Sequence, residues 1–200
     1  MAVKCVLLDV DGVVINSEMF TPGYARKYGV SNEEMLPFFE GKFQDCLVGE
    51  ADLKQEVKPW LDKWRWNGTV DGLLDYWFES ESCVDGRVVE LVGKLRKKGI
   101  ACCLATNQEK CRTEYLKERL GFARIFDKVF SSAELGYRKP EKRFFELVTA
   151  ELKKKYGILP CEVLFFDDSP ECVEAMKETG LDARLYENFE GFKQAAQSLV

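Results

Sequence analysis

The sequence contains no histidine. Histidine is the side chain that most often serves as a general base near neutral pH, and it is the commonest protein ligand of transition metals. Its absence excludes Ser-His-Asp and Cys-His catalytic arrangements. Any catalysis by this chain must therefore use carboxylates, lysine, hydroxyl groups, cysteine or tyrosine.

Long apolar runs and C-x-x-C pairs are absent too. No apolar segment reaches the ~18–20 residues that a membrane helix needs, and the N-terminus becomes charged too early for a signal peptide. The eight cysteines include no C-x-x-C pair, and several lie within apolar segments. This pattern favours buried thiols over a disulfide framework, so we expect a cytoplasmic protein without membrane segments.

Positive charge is not concentrated in one region of the sequence. The net charge is -5, and lysine-rich stretches such as residues 94–99 and 151–157 end helical patterns. Cations at these positions complement the C-terminus of a helix, which favours solvent-exposed helix ends over a binding surface. We therefore expect no nucleic-acid or membrane partner, and the sequence leaves the oligomeric state open.

The C-terminal part of the chain alternates between strand-like and helix-like segments. Residues 100–106 and 162–168 are short apolar runs, which are typical of strands buried on both faces of a sheet. Pro140 and Ser169 occupy favoured positions at the start of predicted helices. The alternation predicts an α/β fold, a parallel sheet with helices on both faces, and residues 4–9 supply its first strand.

Residues 16–83 differ in composition from the rest of the chain. They hold all four tryptophans and have helical spacing of apolar residues without a convincing strand. The sequence SNEE from Ser31 to Glu34 is typical of a capping box at a helix start. We predict a small all-helical insert here, within a core made of residues 1–15 and 84–200, and we expect the tryptophans mainly in the hydrophobic core of the insert.

Polar side chains follow several of the predicted strands, where parallel open sheets bind their ligands. They comprise carboxylates, a hydroxyl, an amide and an ammonium group: Asp9, Asp11, Thr106, Asn107, Lys139, Asp167 and Asp168. Each residue alone is more often a turn or helix-cap residue. Their joint occurrence in four separate segments predicts one site.

This set of groups suits phosphoryl transfer. Crowded carboxylates repel each other and are costly to desolvate, so they favour a bound cation, and Mg²⁺ prefers oxygen ligands. One carboxylate can attack phosphorus to form an aspartyl-phosphate, and a second can protonate the leaving oxygen and then activate water. Lys139 and Thr106 can hold the phosphoryl oxygens.

Four segments resemble, in family order, the signature motifs of the haloacid dehalogenase superfamily: LLDVDGVV, LATN, GYRKPEKRFF and FFDDSPECVEAM. The resemblance covers nearly all of residues 1–14 and 84–200. The insert is similar to the helical cap of the class that includes sugar-phosphate phosphatases. The resemblance implies a Rossmann-like sheet with strand order 5-4-1-2-3 and a mobile all-α cap after the first strand.

The resemblance also implies catalytic roles. Asp9 would be the nucleophile and Asp11 the general acid and base. Thr106, Asn107 and Lys139 would bind phosphate, with Asn107 acting through its backbone or its side chain. These roles assign attack to one aspartate and proton transfer to the other.

The metal site follows from the same resemblance. Asp9, the backbone carbonyl of Asp11, and Asp168 would ligate Mg²⁺, and Asp167 would act through a water molecule. Because Asp167 and Asp168 are adjacent, the reverse assignment of these two stays open.

The predicted function is magnesium-dependent hydrolysis of a small phosphorylated metabolite, such as a sugar phosphate or a nucleotide, by a cytoplasmic phosphatase. Asp11 favours phosphate chemistry, because the dehalogenases of the superfamily lack the second aspartate. The absence of histidine disfavours the sugar-phosphate mutases, whose caps use one. A phosphomutase, a 2-haloacid dehalogenase-type hydrolase and a catalytically silent phosphate- or protein-binding module are the alternatives. The sequence does not identify the substrate or the cap residues that select it.

Overall fold

A five-stranded parallel sheet forms the centre of the protein, in a computed structural model that describes residues 2–199. The strands are β1 (Cys5–Leu8), β2 (Ala101–Thr106), β3 (Lys128–Ser131), β4 (Val163–Asp167) and β5 (Asp182–Leu185). Their order is β3-β2-β1-β4-β5, and all neighbouring strands are parallel. This is the predicted order read from the opposite edge, so the α/β fold and its topology are confirmed.

The central strand is apolar because both faces of the sheet are covered. Every residue of β1 is buried. Val6 and Leu8 pack in the hydrophobic cluster on one face, and Cys5 and Leu7 pack in the cluster on the other. Since β1 pairs with both β2 and β4, the residue that follows it emerges at the middle of the carboxyl edge.

The segment after β1 is helical, as predicted. Its helices are α1 (Phe20–Tyr28), α2 (Asn32–Phe39), α3 (Lys42–Leu47), α4 (Leu53–Val57) and α5 (Val70–Ser80), with a 3-10 turn at Lys58–Trp60. The capping box of α2 is present, because Ser31 and Glu34 each accept the backbone N–H of the other. Trp64 and Trp77 are buried in a hydrophobic cluster formed mainly by this insert.

The remaining helices cover the sheet. They are α6 (Gly86–Lys97), α7 (Lys110–Glu118), α8 (Phe122–Ile125), α9 (Ser132–Leu135), α10 (Lys142–Tyr156), α11 (Pro170–Lys177) and α12 (Phe189–Ala196), with 3-10 turns at Pro160–Glu162 and Gln197–Leu199. Ser169 caps α11 as predicted, because its hydroxyl accepts the Cys172 N–H. Within residues 2–199, no helix has both the length and the apolar character needed to cross a membrane.

The prediction that Pro140 opens a helix is wrong, because α10 begins at Lys142 after the N-cap residue Glu141. The reason lies in a distant part of the chain. The Asn107 side chain bonds both the N–H and the carbonyl oxygen of Lys139, each at 2.8 Å. These two bonds hold the segment in a turn against the end of β2.

Two chain crossings connect the sheet with the insert, and they are hydrogen-bonded to each other. The Asn16 N–H donates to the Cys83 carbonyl oxygen and the Asp85 N–H donates to the Val14 carbonyl oxygen, each at 2.9 Å. The crossings lie next to the predicted boundaries of the insert. On this ground we propose that residues 16–83 form a cap domain, with the remaining residues as its core domain.

Candidate active site

The predicted site residues lie together at the carboxyl edge of the sheet. Asp9 follows β1, Thr106 ends β2 and Asp167 ends β4. Lys139 enters from the segment that precedes α10, and all four side chains are buried. Because β1 lies between β2 and β4, the strand order itself brings these groups together.

A buried ammonium group joins two of the carboxylates. Lys139 Nζ lies 2.7 Å from Asp9 Oδ1 and 2.6 Å from Asp167 Oδ2. The Val10 N–H donates to Asp9 Oδ1 at 2.7 Å, and the Ser169 N–H donates to Asp167 Oδ1 at 2.8 Å. Since buried charges are costly without partners, these bonds offset part of the desolvation cost and hold both carboxylates in place.

Burial is the main influence on the pKa values of Asp9 and Asp168. It raises the pKa of Asp9 to about 7, against the lowering effect of the Lys139 ammonium group. Burial also raises the pKa of Asp168, and repulsion by Asp167 adds to this rise. Burial alone would lower the pKa of Lys139, but the Asp9 and Asp167 carboxylates raise it overall, so Lys139 is positively charged. The site therefore holds more carboxylates than its single ammonium group can neutralise.

Asp11 is exposed to the cleft between the core and the insert. Gln108 Nε2 donates a hydrogen bond to Asp11 Oδ2. The surrounding protein desolvates this carboxyl group and raises its pKa, whereas the Arg112 guanidinium group opposes the rise. Sequence reasoning missed Gln108, although its position two residues after Thr106 at a strand end was an available signal.

Arg112 was also missed, and it lies buried between the core and the insert. Its guanidinium group donates to the carbonyl oxygen of Phe78 at 2.7 Å and to that of Glu81, so it binds the C-terminal end of α5. The sequence did indicate its position: Arg112 precedes Leu116 by four residues, so both lie on the buried face of α7. Arg112 thus connects the insert with the neighbourhood of Asp11.

Asn107 lines the cleft, but its side chain is occupied. Both ends of its amide bond the backbone of Lys139, as described above. The side chain therefore positions the segment that carries the buried ammonium group. Its backbone N–H is the group left for the predicted contact with phosphate.

Three carboxylates form a possible metal site. Asp9, Asp167 and Asp168 each offer one oxygen atom, and these atoms lie within 4.8 Å of one another. Gly12 makes room for the Asp168 carboxylate: a Cβ at residue 12 would lie 2.1 Å from Asp168 Oδ2, and the φ of +76° there favours glycine. A set of hard oxygen donors with excess negative charge fits Mg²⁺.

Two cavities meet at Asp9, Asp11 and Asn107. The first, which we call the strand-end cavity, has a volume of about 270 Å³ and is also lined by Thr106 and Lys139. The second, the insert cavity, has a volume of about 650 Å³ and extends between the core and helices α1, α2, α3 and α5. The arrangement suits a ligand with a small charged group in the strand-end cavity and a larger remainder beneath the insert.

These features define an α/β fold with carboxylates and a lysine gathered at the ends of its parallel strands. The family model for haloacid dehalogenase-like hydrolases matches residues 3–180. The chain belongs to this hydrolase family.

The curated relatives include phosphatases. A phosphoglycolate phosphatase of Shigella dysenteriae serotype 1 is 24% identical over 202 residues, which cover 89% of this chain and 79% of that protein. A sesquiterpene phosphatase of Aspergillus oryzae is 32% identical over 97 residues. That match covers 48% of this chain and 47% of the sesquiterpene phosphatase, so it extends over less than half of either protein.

Solved structures have the same fold. A HAD family enzyme from Bacteroides thetaiotaomicron superposes with a TM-score of 0.81 at 20% identity, and 98% of each chain is covered. A structure of the enzyme with magnesium and inorganic phosphate has a TM-score of 0.75 at 20% identity, covering 95% of this chain and 96% of that chain. A HAD-like family hydrolase from Porphyromonas gingivalis has a TM-score of 0.77 at 21% identity, and the match covers 100% of this chain and 98% of that chain. Similarity at these identities establishes the fold.

Proposed function

We propose that this protein is a magnesium-dependent phosphatase that hydrolyses a small phosphate monoester through an aspartyl-phosphate. One observation carries the proposal: the Lys139 ammonium group is bonded to Asp9 beside a cavity of about 270 Å³ that Thr106 also lines. A carboxylate, an ammonium group and a hydroxyl thus surround one space large enough for a phosphate group. Membership of the hydrolase family and the phosphatase relatives support this function.

Asp9 is the proposed nucleophile. Val10 and Lys139 both donate to its Oδ1, so we assign the attack to Oδ2. The bond from Oδ2 to phosphorus forms while the ester P–O bond breaks, and Asp11 gives its proton to the leaving oxygen. Water then attacks phosphorus, Asp11 takes the proton from that water, and phosphate leaves Asp9. Lys139 and Thr106 hold the phosphoryl oxygens in both steps.

Asp9, the backbone carbonyl of Asp11, and Asp168 are the proposed ligands of Mg²⁺. Both oxygens of Asp167 accept bonds, from Lys139 and from a backbone N–H, whereas Asp168 is exposed to the cleft. This difference supports Asp168 as the direct ligand and Asp167 as a residue that acts through a water molecule. When bound, the metal ion supplies positive charge that offsets the charge on phosphate and carboxylates.

A cytoplasmic location and a phosphorylated metabolite as partner belong to the same proposal. Cys5, Cys102 and Cys103 are buried free thiols in the sheet. This state is the one expected in a reducing compartment, so it supports the proposed location.

Release of inorganic phosphate from a panel of phosphate monoesters, with and without Mg²⁺, tests the function. We expect release with Mg²⁺, loss of activity on chelation, and a loss of at least about 1,000-fold in Asp9→Asn. Asp182→Asn is the matched control, because Asp182 forms only a surface ion pair with Arg184 on strand β5. We expect this variant to be fully active. Wild-type activity in Asp9→Asn, or activity that is indifferent to chelation, would contradict the mechanism.

A further inference from the structure

Much of the wall of the insert cavity on the side of the insert is apolar. Six of its side chains come from the start of α1 and from α2, α3 and α5: Met19, Leu36, Phe39, Phe43, Leu47 and Trp77. Met19 is 74% exposed and Leu36 is 43% exposed, so these two large side chains are not part of the packed core. Single exposed apolar residues are common, but a group of them around one cavity indicates a binding surface.

Cations are missing from this wall. Among the described residues that line the insert cavity, none is lysine or arginine. The nearby guanidinium groups have partners, since Arg112 binds backbone carbonyl oxygens of the insert and Arg138 binds the Gln44 side chain. A carboxylate or a second phosphate in the leaving group would therefore have no free cation here, and it would face acidic side chains such as Glu81.

The polar groups of the cavity are largely occupied by the protein itself. Asn107 bonds the backbone of Lys139, and Gln108 bonds Asp11. Both oxygens of the Glu81 carboxylate accept hydrogen bonds, from the Phe20 N–H at 2.6 Å and from Trp77 Nε1 at 2.9 Å. The hydroxyl groups of a sugar would have to compete with these bonds, which reduces the favourable contacts that a polar leaving group can make.

We propose that the alcohol released from the substrate is uncharged and mainly apolar, with an aliphatic or aromatic carbon skeleton. This inference rests on the proposed phosphatase function. It excludes sugar phosphates and nucleotides as the preferred substrates. The volume of about 650 Å³ is sufficient for a group of this kind. The phosphate would occupy the strand-end cavity, and the carbon skeleton would lie against Met19, Leu36 and Phe43.

The first experiment measures kcat/KM for n-alkyl phosphates from methyl to hexyl phosphate, and for phosphoglycolate, glucose 6-phosphate and a nucleoside monophosphate. We expect a rise of roughly two- to fourfold for each added methylene, and hexyl phosphate at least about tenfold above the polar substrates. If no monoester is hydrolysed, the proposed phosphatase function fails. If the polar substrates match or exceed hexyl phosphate, the phosphatase function stands and the apolar leaving group is excluded.

The second experiment compares variants at two leucines of similar exposure. Leu36→Gln changes the cavity wall, whereas Leu159 is 41% exposed and lies outside both cavities, so Leu159→Gln is the control. We expect Leu36→Gln to lower the hexyl-to-methyl ratio of kcat/KM by about fivefold or more, and Leu159→Gln to leave it unchanged. The double variant Met19→Gln/Leu36→Gln should lower the ratio further. A ratio that stays at the wild-type value in the double variant would overturn the inference.

Discussion

The two cavities of the cleft share Asp9, Asp11 and Asn107, but they are built differently. In the strand-end cavity, the Lys139 ammonium group is buried and bonded to the buried carboxylates of Asp9 and Asp167. In the insert cavity, apolar side chains of the insert form much of the wall, and Leu36 remains 43% exposed. Strands covered on both faces can hold charges in a fixed geometry, whereas short helices at the surface can present apolar side chains to a ligand. Under the proposed function, we therefore expect residues at the sheet edge to perform the chemistry and residues of the insert to select the leaving group.

This division predicts two kinds of mutational effect. A change in the strand-end cavity should affect all phosphate monoesters that need the same chemistry, whatever the length of the leaving group. A change in the wall of the insert cavity should alter the ratio between substrates, as proposed for Leu36 above. Three further variants test this expected difference between the core and the insert.

Asp11→Asn should have the largest effect. Loss of a general acid typically costs about 10²–10⁴-fold in rate, and we expect this loss in kcat/KM for methyl and hexyl phosphate alike. The leaving group of 4-nitrophenyl phosphate needs less protonation, so its kcat/KM should fall much less. Equal losses for the alkyl and nitrophenyl esters would contradict the role of Asp11 as the acid.

Lys139→Met should have the next largest effect, on stability as well as on activity. It leaves the Asp9 and Asp167 carboxylates buried without a cation, and breaking a buried pair in this way costs about 3–5 kcal/mol. Urea unfolding in the presence of a chelator measures the change in the free energy of unfolding without compensation by bound metal.

Lys54→Met is the matched control for this comparison. Lys54 pairs with Asp71 on the surface of the insert, where the two side chains are 52% and 72% exposed. Solvent screens such a pair, so we expect a loss of no more than about 1 kcal/mol. Similar losses of unfolding free energy in Lys139→Met and Lys54→Met would show that burial does not make the Lys139 ion pairs more important for stability than the surface pair of Lys54.

Arg112→Met should have the smallest of the three effects. It removes the donors that bind the carbonyl oxygens of Phe78 and Glu81, and leaving such groups without partners costs about 1–3 kcal/mol. Arg119, near the end of the same helix, is exposed and lies 3.9 Å from Glu79, so Arg119→Met is a control with little expected effect. Equal unfolding free energies for the two variants would argue against Arg112 as the connection between core and insert.

Features that depend on neighbours along the chain could be predicted well. The capping box of Ser31 and the cap of α11 by Ser169 use residues three positions apart, so the local sequence contains all the partners. The prediction for Pro140 failed because its segment is held by Asn107, which is distant in sequence. The residues of the site could be collected from the sequence, because parallel strands end at a common edge. Their catalytic roles remain predictions.

The alternation of strands and helices, the charged groups at the strand ends and, through its motifs, the hydrolase family could all be identified from the sequence. The side chains that line the insert cavity could be identified only from the folded structure. Met35 and Leu36 are adjacent apolar residues of α2, yet Met35 is buried in the insert and Leu36 lies at the cleft. Helical spacing describes both equally well, because it does not specify which face of a short helix packs on the insert and which faces the core. That choice depends on contacts between distant segments, and here it leaves an apolar wall facing Asp9.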